Sequence, residues 1–275
     1  MRRLICAVAL ACAALGLGGC GEIHNTIEPQ PGTADQLTVA LDSAPSVAHA
    51  GIYAAQQAGY FTQTDLDVTI QQPNGENVLD ELYDGKVDAA ITTPPALLRA
   101  RNGYQALVAV AAIVQTPQPT RVTCTRRKTG TGTHARTVTA CRGTTPTSPP
   151  APYTRAPSYP ALVIAVTKSM IVDNAPTLRR LVQAIARGYE LARSDPGFAA
   201  QALAAANPSL HVGETTQAIR LSASTFFPPT ARPWGWVYNA QWNALGQWML
   251  NQRLITVPNA TVDAADNELL AGQGI

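Results

Sequence analysis

Residues 36–70 read QLTVALDSAPSVAHAGIYAAQQAGYFTQTDLDVTI, and this stretch decides the fold class. Residues 37–41, LTVAL, form a short apolar run of strand length that ends at the turn residues Asp42, Ser43 and Pro45. A helix-like segment follows near 48–58, and the chain turns apolar and β-branched again at 66–70, LDVTI. Outward from there the alternation repeats. VDAAI at 87–91 and ALVAVAAIV at 106–114 read as strands, with helix-like segments near 76–84 and 94–102 between them. Strand, helix and strand in succession predict an α/β unit with a largely parallel sheet flanked by helices. Farther on, ALVIAV at 161–166 reads as a buried strand. Asn174-Ala175-Pro176 opens a helix to about Arg193 with proline in its first turn, and Asp195-Pro196 starts another to about Ala206. Further helices are expected near 214–225, 239–252 and 263–271.

The first twenty residues have a different purpose. Arg2 and Arg3 precede an apolar run from Leu4 to Leu17, which is too short to span a bilayer and has the flanks of an export signal. It ends in Leu17-Gly18-Gly19-Cys20, which resembles the lipobox of bacterial lipoproteins and implies a lipid on Cys20. Residues 21–35 are polar and aperiodic, as a tether between lipid and domain would be. Of the five cysteines, Cys6 and Cys12 leave with the signal and Cys20 carries lipid, so Cys124 and Cys141 remain as candidates for a disulfide. An oxidising compartment permits that bond, but sequence separation alone does not establish it.

Between Thr116 and Tyr159 there is no Asp, Glu, Leu, Ile or Phe, while Thr, Pro, Arg and Gly crowd together. Such a stretch has little apolar area to set against its ordering entropy, so residues 116–157 are expected to be irregular. The stretch holds seven of the twenty basic residues. Without these and the two signal arginines, eleven basic residues face eighteen acidic ones, so the remainder is acidic although the whole chain carries +2. A basic stretch can bind nucleic acid, but export and the lack of an organised face speak against a nucleic-acid partner.

Four groups of residues, in order, carry a family resemblance. The first is Leu41-Asp42-Ser43-Ala44-Pro45, then His49-Ala50-Gly51-Ile52-Tyr53 and Gly59-Tyr60-Phe61. The second is Gly85-Lys86-Val87-Asp88, followed by the run ending at Gln115. The third is Pro157-Ser158-Tyr159 with Arg187-Gly188-Tyr189-Glu190, and the fourth is Trp234-Gly235-Trp236 with Trp242 and Trp248. Together they resemble the NMT1/THI5-like family of solute-binding proteins. The resemblance implies a periplasmic-binding-protein-like (type II) α/β fold and an extracytoplasmic, lipid-anchored, monomeric binder. Its partners would be an ABC permease in the membrane and a small heterocycle such as a thiamine pyrimidine precursor; riboflavin is another candidate.

In such a fold the ligand sits at strand carboxyl ends and helix amino termini. Asp42 follows the first strand and can accept from an exocyclic amine, and His49 can donate to or stack on a ring. Asp42 also suits a turn or helix cap, and His49 can simply satisfy local backbone. Tyr53, one turn beyond His49, is a further ligand candidate. Thr92 and Thr93 follow the third strand and either face ligand or cap the next helix, which Pro94 opens. Gln115 ends the fourth strand and is a similar ligand candidate. Trp234 and Trp236 offer a stacking wall, whereas Trp242 and Trp248, at helical spacing, read as core.

The chain also departs from the family. Ser43 stands where an aromatic residue is usual. The interval where the resemblance implies a second lobe is occupied by residues 116–157, so one α/β lobe is expected from 36–115 and 158–275, with the second truncated or replaced. A degenerate, non-binding lipoprotein is therefore the alternative reading. A third is a THI5-like pyrimidine synthase. Those enzymes carry a lysine and a histidine after the Gly-Lys-x-Asp motif, but here Ile91-Thr92-Thr93-Pro94-Pro95-Ala96 stands there and the only lysines are Lys86, Lys128 and Lys168. No catalysis, metal or cofactor is expected.

Overall fold

The computed structural model describes residues 34–103, 106–116, 121–129, 136–144 and 155–272; the expected signal with Cys20 and the expected tether up to residue 33 lie outside these, and Asp35, expected as the last tether residue, instead opens the first strand. Residues from Thr33 onward form one structural unit. Its strands are β1 (Asp35–Ala40), β2 (Leu66–Gln71), β3 (Ala89–Thr92), β4 (Leu107–Val114), β5 (Arg121–Thr129), β6 (Arg136–Thr144) and β7 (Leu162–Thr167). Its helices are α1 (Ala50–Gln57), α2 (Val78–Tyr83), α3 (Pro94–Arg101), α4 (Lys168–Ser194), α5 (Pro196–Ala206), α6 (Val212–Ser222) and α7 (Asn239–Asn251).

The main sheet has the order β2-β1-β3-β7-β4. β1 pairs in parallel with both β2 and β3, but β7 runs antiparallel to β3 and to β4. Four of the five strands thus run the same way, as the expected largely parallel sheet requires, and β7 alone is reversed, which makes the sheet mixed. β7 enters after the chain has left β4 by the long 115–161 excursion, and its direction depends on where that excursion ends rather than on a short βαβ crossover.

Side-chain alternation places one core on each face. Leu37 and Val39 of β1, and Leu41 just after it, join Ile91, Ile164 and Val166 beneath α1, α4 and α5, whereas Ala40, Ala90, Ala109 and Val163 face α2, α3 and α7. On β4 the parity breaks: Val110 and Ala111 both belong to the first core. Register shifts between Ala109 and Ala111, and between Ala112 and Val114, account for this. β4 is buried at all eight positions, and each fully buried valine or isoleucine contributes about 1.5–3 kcal/mol.

Local chemistry sets the helix ends. The Thr93 hydroxyl caps α3, and Pro94 occupies its first turn. In α4, Asn174 is non-helical, so Pro176 opens the segment that continues to Ser194. The helix expected near 263–271 is absent. Turns run there instead, and Ala265 bridges Ala109 of β4, because the backbone joins the sheet edge.

β5 and β6 correct the expectation that 116–157 is irregular throughout. They pair antiparallel over nine residues each as a two-stranded ribbon beside α6. Threonine and valine, which recur in both strands, suit extended backbone, and the pairing is local in sequence. Among the described residues, the ribbon is the only sheet besides the five-stranded one.

Candidate functional site

β1, β3 and β4 point their carboxyl ends to one sheet edge, and Asp42, Thr93 and Gln115 lie just beyond those ends. With neighbouring strands about 4.8 Å apart, the β1 and β3 positions are one heterocycle width from each other, and β4 stands about 10 Å beyond β3.

His49 ends a 3-10 turn, Val47–His49, that leads into α1. Its ring is fully buried. The Ser46 amide donates to His49 Nδ1 at 3.2 Å, and the Ser46 hydroxyl lies 3.3 Å from the same nitrogen. An Nδ1 that accepts an amide N–H leaves the proton on Nε2, which donates to Asp42 Oδ1 at 3.0 Å. Both ring nitrogens are thus occupied within the protein. His49 orients Asp42 rather than offering a free donor, while the Asp42 side chain is 25% exposed and Oδ2 accepts no hydrogen bond from a described residue.

Two distant elements hold this turn. Asn207 donates to the Pro45 carbonyl at 2.9 Å, and the Tyr189 hydroxyl on α4 donates to the Ala48 carbonyl at 2.6 Å. The Tyr189 ring stacks on Trp234 at 5.1 Å and meets Phe226 edge-on at 5.0 Å. Burial, assisted by the negative charge of Asp42, pushes the Tyr189 phenol far up, so it remains a donor. Tyr189 belongs to the Arg187-Gly188-Tyr189-Glu190 group that carries the family resemblance, but the sequence gives no sign of its contact with the turn. It links Trp234 to the His49–Asp42 pair.

Tyr53 is buried, and its hydroxyl has no partner among the described residues. Burial pushes that phenol up to about 12. Thr92 is buried, and the Thr93 hydroxyl accepts from the Ala96 amide at 3.3 Å, the capping role. The Gln115 amide donates to the carbonyls of Trp236 at 3.0 Å and Ala112 at 3.2 Å, so it fastens the 234–237 loop to β4. Trp236 is half-buried under the Arg232 guanidinium at 4.5 Å. Trp242 is core, and Trp248 packs partly buried against it.

Trp234 lines a cavity of about 750 Å³ with Tyr60, Arg187, Glu190 and Leu191, and none of the other candidates does. A smaller cavity of about 210 Å³ lies at the opposite sheet edge, by Asp88 and Thr167. Among the described residues no group of three or more His, Cys, Asp or Glu side chains is placed to hold a metal, and no helix is long and apolar enough to cross a membrane.

This arrangement is that of a periplasmic-binding-protein fold. The periplasmic nitrate-binding protein NrtA from Synechocystis PCC 6803 superposes with a TM-score of 0.60 at 8% identity, covering 86% of this chain and 87% of that one. The profile of the NMT1/THI5-like family matches residues 46–133 and 145–199, so the chain belongs to that family. It is similar to the formylaminopyrimidine-binding protein of Halalkalibacterium halodurans, 31% identical over 84 residues, or 30% of this chain and 26% of the relative. The Saccharomyces cerevisiae 4-amino-5-hydroxymethyl-2-methylpyrimidine phosphate synthase THI11 matches equally, 31% over 84 residues, 30% of this chain and 25% of the relative. The match thus spans about a quarter of these curated relatives.

Proposed function

We propose that this chain is the extracytoplasmic, lipid-anchored solute-binding component of an ABC importer, and that its ligand is a small heterocycle bearing N–H donors, of the aminopyrimidine type. The observation that carries this reading is Asp42, a partly exposed carboxylate at the β1 end whose orientation His49 fixes and whose Oδ2 is free to accept. An acceptor so placed suits an exocyclic amine and opposes an anion such as nitrate. The name of the bacterial relative supports the pyrimidine class. The THI11 match raises the alternative of catalysis, but residues 91–96 contain neither lysine nor histidine, so a Schiff base has no partner there.

The reading includes one binding lobe. The β5–β6 ribbon does not supply a second α/β face to close over the ligand, so a contact set worth about −8 kcal/mol in a two-lobed binder falls to about −4 kcal/mol, near millimolar. Isothermal titration of the purified protein with aminopyrimidines tests this, with Asp42→Ala expected to remove the binding that remains. Sub-micromolar binding would reject the one-lobe affinity. No binding by a folded protein would favour the degenerate alternative. The anchor is tested separately by Cys20→Ser, which should end palmitate labelling and release the protein from membranes.

A further inference from the structure

The register of the ribbon places Cys124 of β5 directly opposite Cys141 of β6. Opposed residues of an antiparallel pair have Cα atoms about 4.5 or 5.5 Å apart, and both values lie within the span that a disulfide bridges. We infer that Cys124 and Cys141 form a cross-strand disulfide that staples the ribbon.

The sequence permitted this pair without bringing it together; the register does so. A two-stranded ribbon is at most marginally stable alone, and its segment is poor in large apolar residues, so a covalent tie supplies the stability that side-chain burial does not. Closing the intervening loop of about 16 residues restricts the unfolded chain enough to stabilise the ribbon substantially. In the reaction, two thiols lose two protons and two electrons and one S–S bond forms. The electrons pass by thiol–disulfide exchange to an oxidising disulfide donor, which leaves as two thiols. In the cell the bond depends on the proposed export to an oxidising compartment, whereas in vitro it depends on the register alone.

The test uses the full chain, expressed with its own leader. The protein is alkylated without prior reduction, digested with trypsin and analysed by mass spectrometry. The expected product is the peptide 122–126, VTCTR, linked to the peptide 137–142, TVTACR. In a second arm the reduced, purified protein is equilibrated with oxidised and reduced glutathione. The same linked peptides should form there, and Cys124→Ser should leave Cys141 alkylatable. Linkage in glutathione buffer with free thiols in the cell-derived protein supports the pairing and overturns the export reading. Two separate glutathione adducts, or two free thiols, in glutathione buffer overturn the pairing itself.

Discussion

Gly51 on α1 lies directly under the ring of Tyr189 on α4: a Cβ at position 51 would stand 2.2 Å from Tyr189 Cδ2. One residue away on α4, a Cβ on Gly188 would stand 2.0 Å from the Gly51 carbonyl oxygen. The two glycines let α1 and α4 approach closely enough for the Tyr189 hydroxyl to reach Ala48 and pin the turn that carries His49.

Gly51→Ala and Gly188→Ala should therefore each destabilise the protein by about 3 kcal/mol, since backbone and a buried ring must move. Gly213→Ala, on α6 with nothing within 4 Å of its added Cβ, should be neutral or stabilise by up to about 1 kcal/mol. Urea denaturation of the three variants measures this; equal stability of all three would contradict the close approach.

Tyr53 offers a pH test. Its hydroxyl is buried without a partner, so Tyr53→Phe should stabilise the ligand-free protein by about 1 kcal/mol at neutral pH. Burial raises this phenol to about 12 from its ordinary 10. The folded state therefore resists ionisation, and the stability associated with neutral Tyr53 is complete below pH 10 and lost as pH rises towards about 12. Subtracting the Tyr53→Phe stability profile from that of the parent should show a decline confined to that window.

His49 is predicted to act through Asp42. His49→Gln can keep an N–H near the position of Nε2, whereas His49→Asn is too short to reach the carboxylate. Titration with an aminopyrimidine should find affinity within a few-fold of the parent for glutamine and at least about tenfold weaker for asparagine, about 1.4 kcal/mol. Equal losses in both variants, with folding intact, would remove the positioning role.

Arg101 should prove structural. It is buried and donates to the carbonyls of Ala260 at 2.6 Å, Leu107 and Val262, tying the C-terminal segment to α3 and β4. Arg101→Met leaves those carbonyls short of donors and should cost about 3 kcal/mol. Limited proteolysis should then cut first within 256–270, and the parent should resist cleavage there.

The strands of the main sheet were legible because each is an apolar run between turn residues, and Asp42 and Thr93 were legible because they follow such runs. Other features were not. His49 reads either as a ligand donor or as a partner of local backbone, and the fold gives it the Ser46 amide and Asp42, while the Gln115 amide is committed to Trp236 and Ala112. Sequence position shows which donors a residue has but not which partners the fold brings to them.

By itself, the sequence determined the alternation of strand and helix, the cap at Thr93, the helix start at Pro176, and the family, because these depend on local periodicity, turn chemistry and ordered motifs. Only the tertiary structure decided that β7 runs antiparallel between β3 and β4, that Tyr189 reaches back 141 residues to Ala48, and that Cys124 faces Cys141. Each of these depends on chain segments whose mutual register is selected by packing over the whole sheet, and no local preference encodes it.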